Sequence, residues 1–290
     1  MSVFKKYIIT PYFFEMLRLL KHNFFFRKYK SLFVNNRFDN VLNNADKRCF
    51  IIGSGPSISN LDLSKLKNEN VITVNNVFTH DQYSEFMVST NRSNKHHIIA
   101  PLHDPQTEAD WLEWLKKMEK LLPINVILYL GFNNFKFNTK FFLDKYNLFK
   151  SHSFFYYYPA IDSTILGYEF SSDHIDFSKL IWSSDSGGVY ALMLAINMGY
   201  KEIYLLGMDH NYICQDVSNW RFYKNENYQK NDINSISSNY TSFNEHLLFS
   251  TGKILRQYNL ININTNSKIY NCSQSSLLDM FEKVNFDKLF

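Results

Sequence analysis

Gly53-Ser54-Gly55-Pro56-Ser57 directly follows the apolar run Cys49-Phe50-Ile51-Ile52. A buried strand ends this way when the next residues must hold a phosphate. Glycine lets the backbone approach closely and accept positive φ, Pro56 fixes the turn, and Ser57 supplies a hydroxyl or a cap. The stretch has neither the G-x-G-x-x-G spacing nor a Walker lysine, so it suggests a nucleotide held at the carboxyl end of a first strand without naming a known loop. A second segment, Ser186 to Asp209, repeats the logic. Ser186-Gly187-Gly188 opens an apolar helix, Gly199 stops it, and Ile203-Tyr204-Leu205-Leu206 forms a short strand with Gly207 and Asp209 at its tip. A helix N-terminus and a strand C-terminus both fall where open α/β sheets bind ligands.

Asn75 and Asn76 end the run Val71–Val74, and Asn91 follows Phe86–Thr90. An amide both donates and accepts, so three of them at successive strand ends could read a base edge, a ribose hydroxyl or a phosphate. Asparagine also belongs in turns for its own sake. Of nine histidines, His210 follows Asp209 at a strand tip and His246 opens a helix after a long polar stretch. Either could serve as a general base, the role that needs a group titrating near neutrality. His96 and His97 flank a strand and read as structural or exposed. No Asp-x-Asp follows an apolar strand, and Asp185 and Asp209 lack carboxylate partners nearby, so no obligatory metal or other cofactor is expected.

The elements that must position these groups alternate. Strands are expected at 48–53, 71–75, 84–89, 97–100, 125–130, 202–206 and 260–263, and helices at 107–121, 188–198 and 246–258. Residues 132–158 read as aromatic and irregular, and 211–245 as a long polar connection of the kind that is functional or mobile. The pattern predicts an α/β fold: a Rossmann-like, mostly parallel sheet with helices on both faces. Residues 47–290 would form this nucleotide-binding domain, preceded by a basic, aromatic N-terminal helical segment at 1–46.

Apolar residues make up 45% of the 290, enough for a large core, and the 27 Phe and 19 Tyr must also place rings at the surface. A net charge of +4 argues against a nucleic-acid binder. The charge is uneven: residues 1–34 hold seven basic residues against Glu15 alone, net +6, leaving −2 for the rest. With no apolar run long enough to span a bilayer, that segment reads either as an interfacial membrane anchor or as a helix packed on the core with solvated lysines. The cysteines, Cys49, Cys214 and Cys272, lack zinc-site spacing and suit a reducing cytoplasm.

On Gly53–Ser57, Val74-Asn75-Asn76 and above all 186–209, the chain resembles bacterial sialyltransferases of glycosyltransferase family 42. The resemblance implies a Rossmann-like GT-A-type domain and an inverting, metal-independent transfer of a sialic-acid-like sugar from a CMP-sugar donor. The acceptor would be a surface glycan of a lipopolysaccharide, O-antigen or capsule, free or lipid-linked. It implies that Ser54–Ser57 face the nucleotide phosphate and ribose. Asn75 and Asn91 would match the nucleotide-binding asparagines, Ser186 and Gly187 the cytidine-binding turn, and His246 the general base. His210 and Asn211 stand where the family has phosphate-binding tyrosines, with Tyr212 adjacent, and no arginine precedes Ser186 where the family has one. The tail Lys268–Phe281 and the Gly207–His210 segment also resemble the MptE-like (6-hydroxymethylpterin diphosphokinase-like) proteins of surface-polysaccharide loci. That likeness implies instead a magnesium-dependent pyrophosphokinase; a non-catalytic nucleotide-binding scaffold is the third reading. The expected location is cytoplasmic, and peripheral on the inner face of the cytoplasmic membrane if residues 1–34 act as the anchor. A homo-oligomer is compatible with the sequence.

Overall fold

A computed structural model describes residues 11–34, 47–88, 94–102, 107–162, 172–214, 219–223 and 243–290. Two helices, α1 (Pro11–Lys28) and α2 (Ser31–Val34), precede β1 (Arg48–Ile52) and β2 (Asn70–Val74). Then come α3 (Tyr83–Met87), β3 (Lys95–Ile99), α4 (Glu108–Leu121), β4 (Ile127–Gly131) and α5 (Thr139–Tyr146). The chain continues through β5 (Phe154–Asp162), β6 (Leu180–Ser183), α6 (Gly187–Asn197), β7 (Glu202–Leu206) and α7 (Phe243–Asn264) to β8 (Lys268–Asn271) and β9 (Glu282–Lys283).

Every neighbouring pair of strands in the nine-stranded sheet is parallel, in the order β6-β5-β4-β3-β2-β1-β7-β8-β9. The α/β class with helices on both faces therefore holds. Alternate side chains of β1 divide between two cores. Cys49 and Ile51 join the apolar faces of α6 and α7, through Val189, Leu192, Ile254, Tyr258 and Ile261. Phe50 and Ile52 join the opposite core with α4, α5 and α2, through Trp111, Leu115, Phe142 and Phe33. Strands buried on both faces read as continuous apolar runs, which is why β1, β2, β4 and β7 are visible in the sequence. α4 starts at a capping box between Thr107 and Asp110, and Gly199 ends α6 at φ +83°.

Three expected strands are corrected. Residues 83–87 are helical, so 84–89 is not a strand. Residues 260–263 continue α7 because Ile261, fully buried with Ile254 and Tyr258, serves the helix face toward α6; the strand lies beyond, at Lys268–Asn271. The strand expected at 97–100 begins at Lys95. Burial lowers the Lys95 ammonium to a pKa of about 8, and its Nζ donates to the carbonyls of Leu66 and Glu69 at 2.8 and 2.9 Å. His96 and His97 are not exposed but 1% and 0% accessible within β3. The aromatic stretch holds α5 and the start of β5, neither of them irregular, and β6 follows it.

Candidate functional site

β2 through β6 extend from β1 in one direction and β7 through β9 in the other, so the order reverses between β1 and β7. Open α/β sheets bind ligands in the crevice outside the carboxyl ends at such a switch point. A cleft of about 210 Å³ lies there. Gly53, Ser54, Gly55, Asn75, Asn76, Ser186, Gly187, Gly188, Asp209, His210 and Tyr212 all line it. Most of the site residues expected from sequence thus converge, from segments up to 159 positions apart. Pro56 and Ser57 sit one step behind, as the start of a short 3-10 helix, Pro56–Asn60. Asn91 lies outside the described residues. The reason for choosing it, a strand end at 84–89, falls with that strand.

The glycines are needed for a different reason than positive φ. Gly53 and Gly55 carry no positive φ among the described residues. They let the β1 tip press on the β7 tip: a Cβ on Gly53 would stand 2.6 Å from the Gly207 carbonyl, and one on Gly55 would meet that carbonyl and the Asp209 carboxylate. Gly207, at φ +62°, makes the reciprocal contact. Backbone bonds stitch the two tips, Gly53 N to Leu206 O and Gly55 N to Gly207 O, both 2.8 Å, and Ser57 N donates to Asp209 Oδ2 at 3.0 Å. The amides at 53, 55 and 57 are therefore taken by the protein. Ser54, and Gly187 at the start of α6, line the cleft. Ser186 caps α6, its Oγ accepting from Gly188 N at 3.2 Å.

The C-terminal tail clamps the β7 tip from below. Ser273 Oγ accepts from Gly207 N at 3.1 Å, Ser276 Oγ donates to Met208 O at 2.7 Å, and Leu277 N donates to Asp209 O at 3.0 Å. Asp209 is 2% exposed, and its Oδ1 has no hydrogen-bond partner among the described residues. A buried carboxylate oxygen beside a cleft is an acceptor waiting for a hydroxyl or amino donor.

The two asparagines divide their amides differently. Asn75, at φ +47°, accepts from Ala100 N through Oδ1 at 3.0 Å. Its Nδ2 lies at the cleft wall beside Gly187. Asn76 has both ends engaged, donating to Tyr223 Oη at 2.9 Å and accepting from Trp114 Nε1 at 2.5 Å.

The site holds a group that sequence reasoning missed. Residues 219–223 fold across the mouth of the cleft: Phe222 N donates to Ser54 O at 3.1 Å, Trp220 Nε1 donates to Tyr212 O at 3.2 Å, and Tyr223 is held by Asn76. This strap brings in Arg221, the one Lys or Arg among the described residues lining the cleft. Its guanidinium lies 5.8 Å from the Tyr223 ring centroid. The signal was an aromatic-basic cluster, Trp220-Arg221-Phe222-Tyr223-Lys224, inside the stretch 211–245 read as a polar connection.

Of the two histidines, His210 lines the cleft and His246 does not. His210 is buried at φ +49°, with Nε2 3.2 Å from Tyr258 Oη and Nδ1 without a partner among the described residues. Burial lowers its pKa to about 4, so it is neutral at pH 7 and a weak base. It is suited to exchange a hydrogen bond with a bound ligand. His246 is half-buried on α7, its Nε2 3.3 Å from Ser250 Oγ. Ile254, which lines the cleft, lies two turns further along the same side of α7, about 12 Å down the axis. Asp185 lies at the rim and pairs with Lys253 at 3.1 Å. Among the described residues no group of three His, Cys, Asp or Glu is placed to hold a metal ion.

The chain has structural likeness to the sialyltransferase CstII from Campylobacter jejuni in complex with a substrate analogue, CMP-3FNeuAc: 21% identity, 82% of this chain and 86% of that chain covered, TM-score 0.45. A point mutant of the α-2,3/8-sialyltransferase CstII matches at 18% identity over the same shares, with a TM-score of 0.43. Both likenesses are loose. No family model and no curated protein matches the chain.

Proposed function

We propose that this chain is a glycosyltransferase that uses a nucleotide-sugar donor, of the sialyltransferase type that its 186–209 segment resembles. The observation that carries the reading is the cleft at the β1–β7 switch point. There an α6 N-terminus, the Arg221 guanidinium and the open Asp209 oxygen face one volume of about 210 Å³. The cation and the helix dipole suit a phosphate; the carboxylate suits a ribose or sugar hydroxyl.

In the proposed reaction the donor is a CMP-linked nonulosonic acid and the acceptor a hydroxyl of a surface glycan. The acceptor oxygen attacks the anomeric carbon from the side opposite the nucleotide, which inverts that centre. The bond to the nucleotide phosphate breaks and its electron pair leaves on phosphate oxygen. Arg221, Gly187 N, Ser54 N and the α6 dipole stabilise that charge with no metal. The resemblance implies His246 as the base; because it stands outside the cleft, about 12 Å along α7 from Ile254, it would take the acceptor proton only with the reacting centre extending out of the cleft along that face of α7. His210 stays neutral and orients the donor.

The test is a thermal-shift panel with CMP, CDP, UDP, GDP and ATP, each with EDTA or magnesium. CMP in EDTA is expected to stabilise the fold, by about 2.7 kcal/mol at a hundredfold excess over Kd. A shift with ATP and magnesium alone would overturn the reading in favour of a pyrophosphokinase. Turnover of His246→Ala on a CMP-sugar should fall about 10²-fold or more with the CMP shift retained; unchanged turnover would remove His246 as base.

A further inference from the structure

α1 is apolar on two opposite sides. At about 100° per residue, His22, Phe25 and Phe26 fall on one side and Met16, Leu17, Leu20 and Phe24 on the other. The first side is used by the core. His22 Nδ1 lies 2.6 Å from Tyr158 Oη, Phe25 stacks 5.8 Å from Phe132, and Phe26 stacks 4.9 Å from Phe33. The second side faces solvent: Phe24 is 76% exposed, Leu20 57%, Leu17 44% and Met16 40%. Scattered exposed apolar side chains need no explanation, but four at spacings of three and four on one helix face form a contiguous patch, and such patches mark interaction sites. The exposed Lys21, Arg27 and Lys28 border this patch.

We infer that this face of α1 docks on an anionic lipid surface, with Leu17, Leu20 and Phe24 entering the acyl boundary and Lys21, Arg27 and Lys28 among the headgroups. The inference stands apart from the proposed chemistry. Charge selects the occupant. A second copy seated face to face would bring two N-terminal segments of net +6 together, whereas an anionic bilayer complements them. Among the described residues no helix is long and apolar enough to cross a membrane, so α1 would lie along the surface. The rings of Phe25 and Tyr29 meet Phe132, just past the carboxyl end of β4. α1 therefore reaches the edge of the sheet that also carries the cleft.

The experiment is co-sedimentation of the full chain with vesicles of phosphatidylcholine alone and of phosphatidylcholine mixed with phosphatidylglycerol. The expected result is pelleting with the anionic vesicles that high salt reverses. Leu20→Glu/Phe24→Glu should lower the bound fraction about tenfold or more. Lys21→Glu/Lys28→Glu should lower it too without touching the apolar patch, which keeps the test decisive if the first pair unfolds. Circular dichroism melts of both variants report folding. No pelleting with anionic vesicles, or binding that neither variant weakens, overturns the inference. So does a concentration-dependent dimer in sedimentation equilibrium that Leu20→Glu/Phe24→Glu abolishes, which would seat a second copy on the face.

Discussion

The carboxyl edge of one parallel sheet is finished in two ways. Over β1, β2 and β7 the tips are Gly53-Ser54-Gly55, Asn75-Asn76 and Gly207-Met208-Asp209, and the edge opens into the cleft. Over β4 the tip carries Phe132, and β5, which runs on to Asp162, sets Tyr156 and Tyr158 level with it; there the edge is closed by rings from α1 and α2. Strand direction and pairing are alike in both, but the small half holds the β1–β7 switch point, and small side chains at its tips leave that crevice open. In the small half, hydrogen bonds between the tips hold the edge beside ring contacts such as His210–Tyr258 and Tyr212–Trp220; among the described residues the aromatic half is held mainly by dispersion and burial. If the halves are independent, Phe132→Ala should cost about 3–5 kcal/mol, read as a lower urea midpoint, while the folded fraction binds CMP with unchanged affinity by calorimetry. An affinity that fell in step with stability would break the division.

Acid sharpens the same contrast. Burial lowers the folded-state pKa of His210, at the cleft, to about 4 and that of His97, inside β3, to about 3, against an ordinary value of 6.5. Between those values the unfolded chain binds protons that the folded chain refuses. Stability is therefore full above about pH 6.5 and is lost as pH falls toward 4, at up to about 1.4 kcal/mol per pH unit for each histidine. Urea midpoints between pH 7 and pH 4.5 should show that slope, and His210→Asn should remove about half of it. A slope untouched by His210→Asn would mean that this histidine already binds its proton in the fold.

Arg221→Ala tests how the open half obtains its charge. Stability should fall by no more than about 2 kcal/mol, because Arg221 is half-buried beside the Tyr223 ring while its neighbours Phe222 and Tyr223 keep their own bonds. CMP affinity should fall about tenfold, the worth of one charge-assisted contact, while cytidine affinity holds. Equal losses for both ligands would place Arg221 on the base or ribose.

What was legible in the sequence follows from locality. β1, β2, β4, α4, α6 and β7 carry their period and their caps within their own span. The turns Gly53–Ser57 and Ser186–Gly188 stand out because glycine and serine interrupt apolar runs. Tyr83–Met87 is helical where a strand was expected because five residues, with Tyr83, Phe86 and Met87 apolar, are too few to show a period that separates helix from strand. Ile261 and Ile263 favour strands, but packing against α6 overrode that preference. Arg221 could not be found because its place depends on Phe222 reaching Ser54 and Tyr223 reaching Asn76, contacts across 168 and 147 positions with no local signature. The Asp209 oxygen was foreseeable as a residue but not as an orphan, since that depends on which of its two oxygens Ser57 N takes.

The smallest expected effect separates a helix terminus that only holds the fold from one that also holds the ligand. Ser186→Ala removes the α6 cap and frees Gly188 N, which should cost about 1 kcal/mol in the free protein. If the nucleotide phosphate sits on this terminus, it can accept from Gly188 N in place of the lost hydroxyl. The deficit measured by urea unfolding should then shrink under saturating CMP, so the variant binds CMP slightly more tightly than the parent. If the phosphate lies elsewhere, against Ser54 N and Arg221 alone, the deficit is the same with and without CMP. The two outcomes differ by a few tenths of a kcal/mol to about 1 kcal/mol, and the sign of the affinity change tells which amide of the open edge carries the anion.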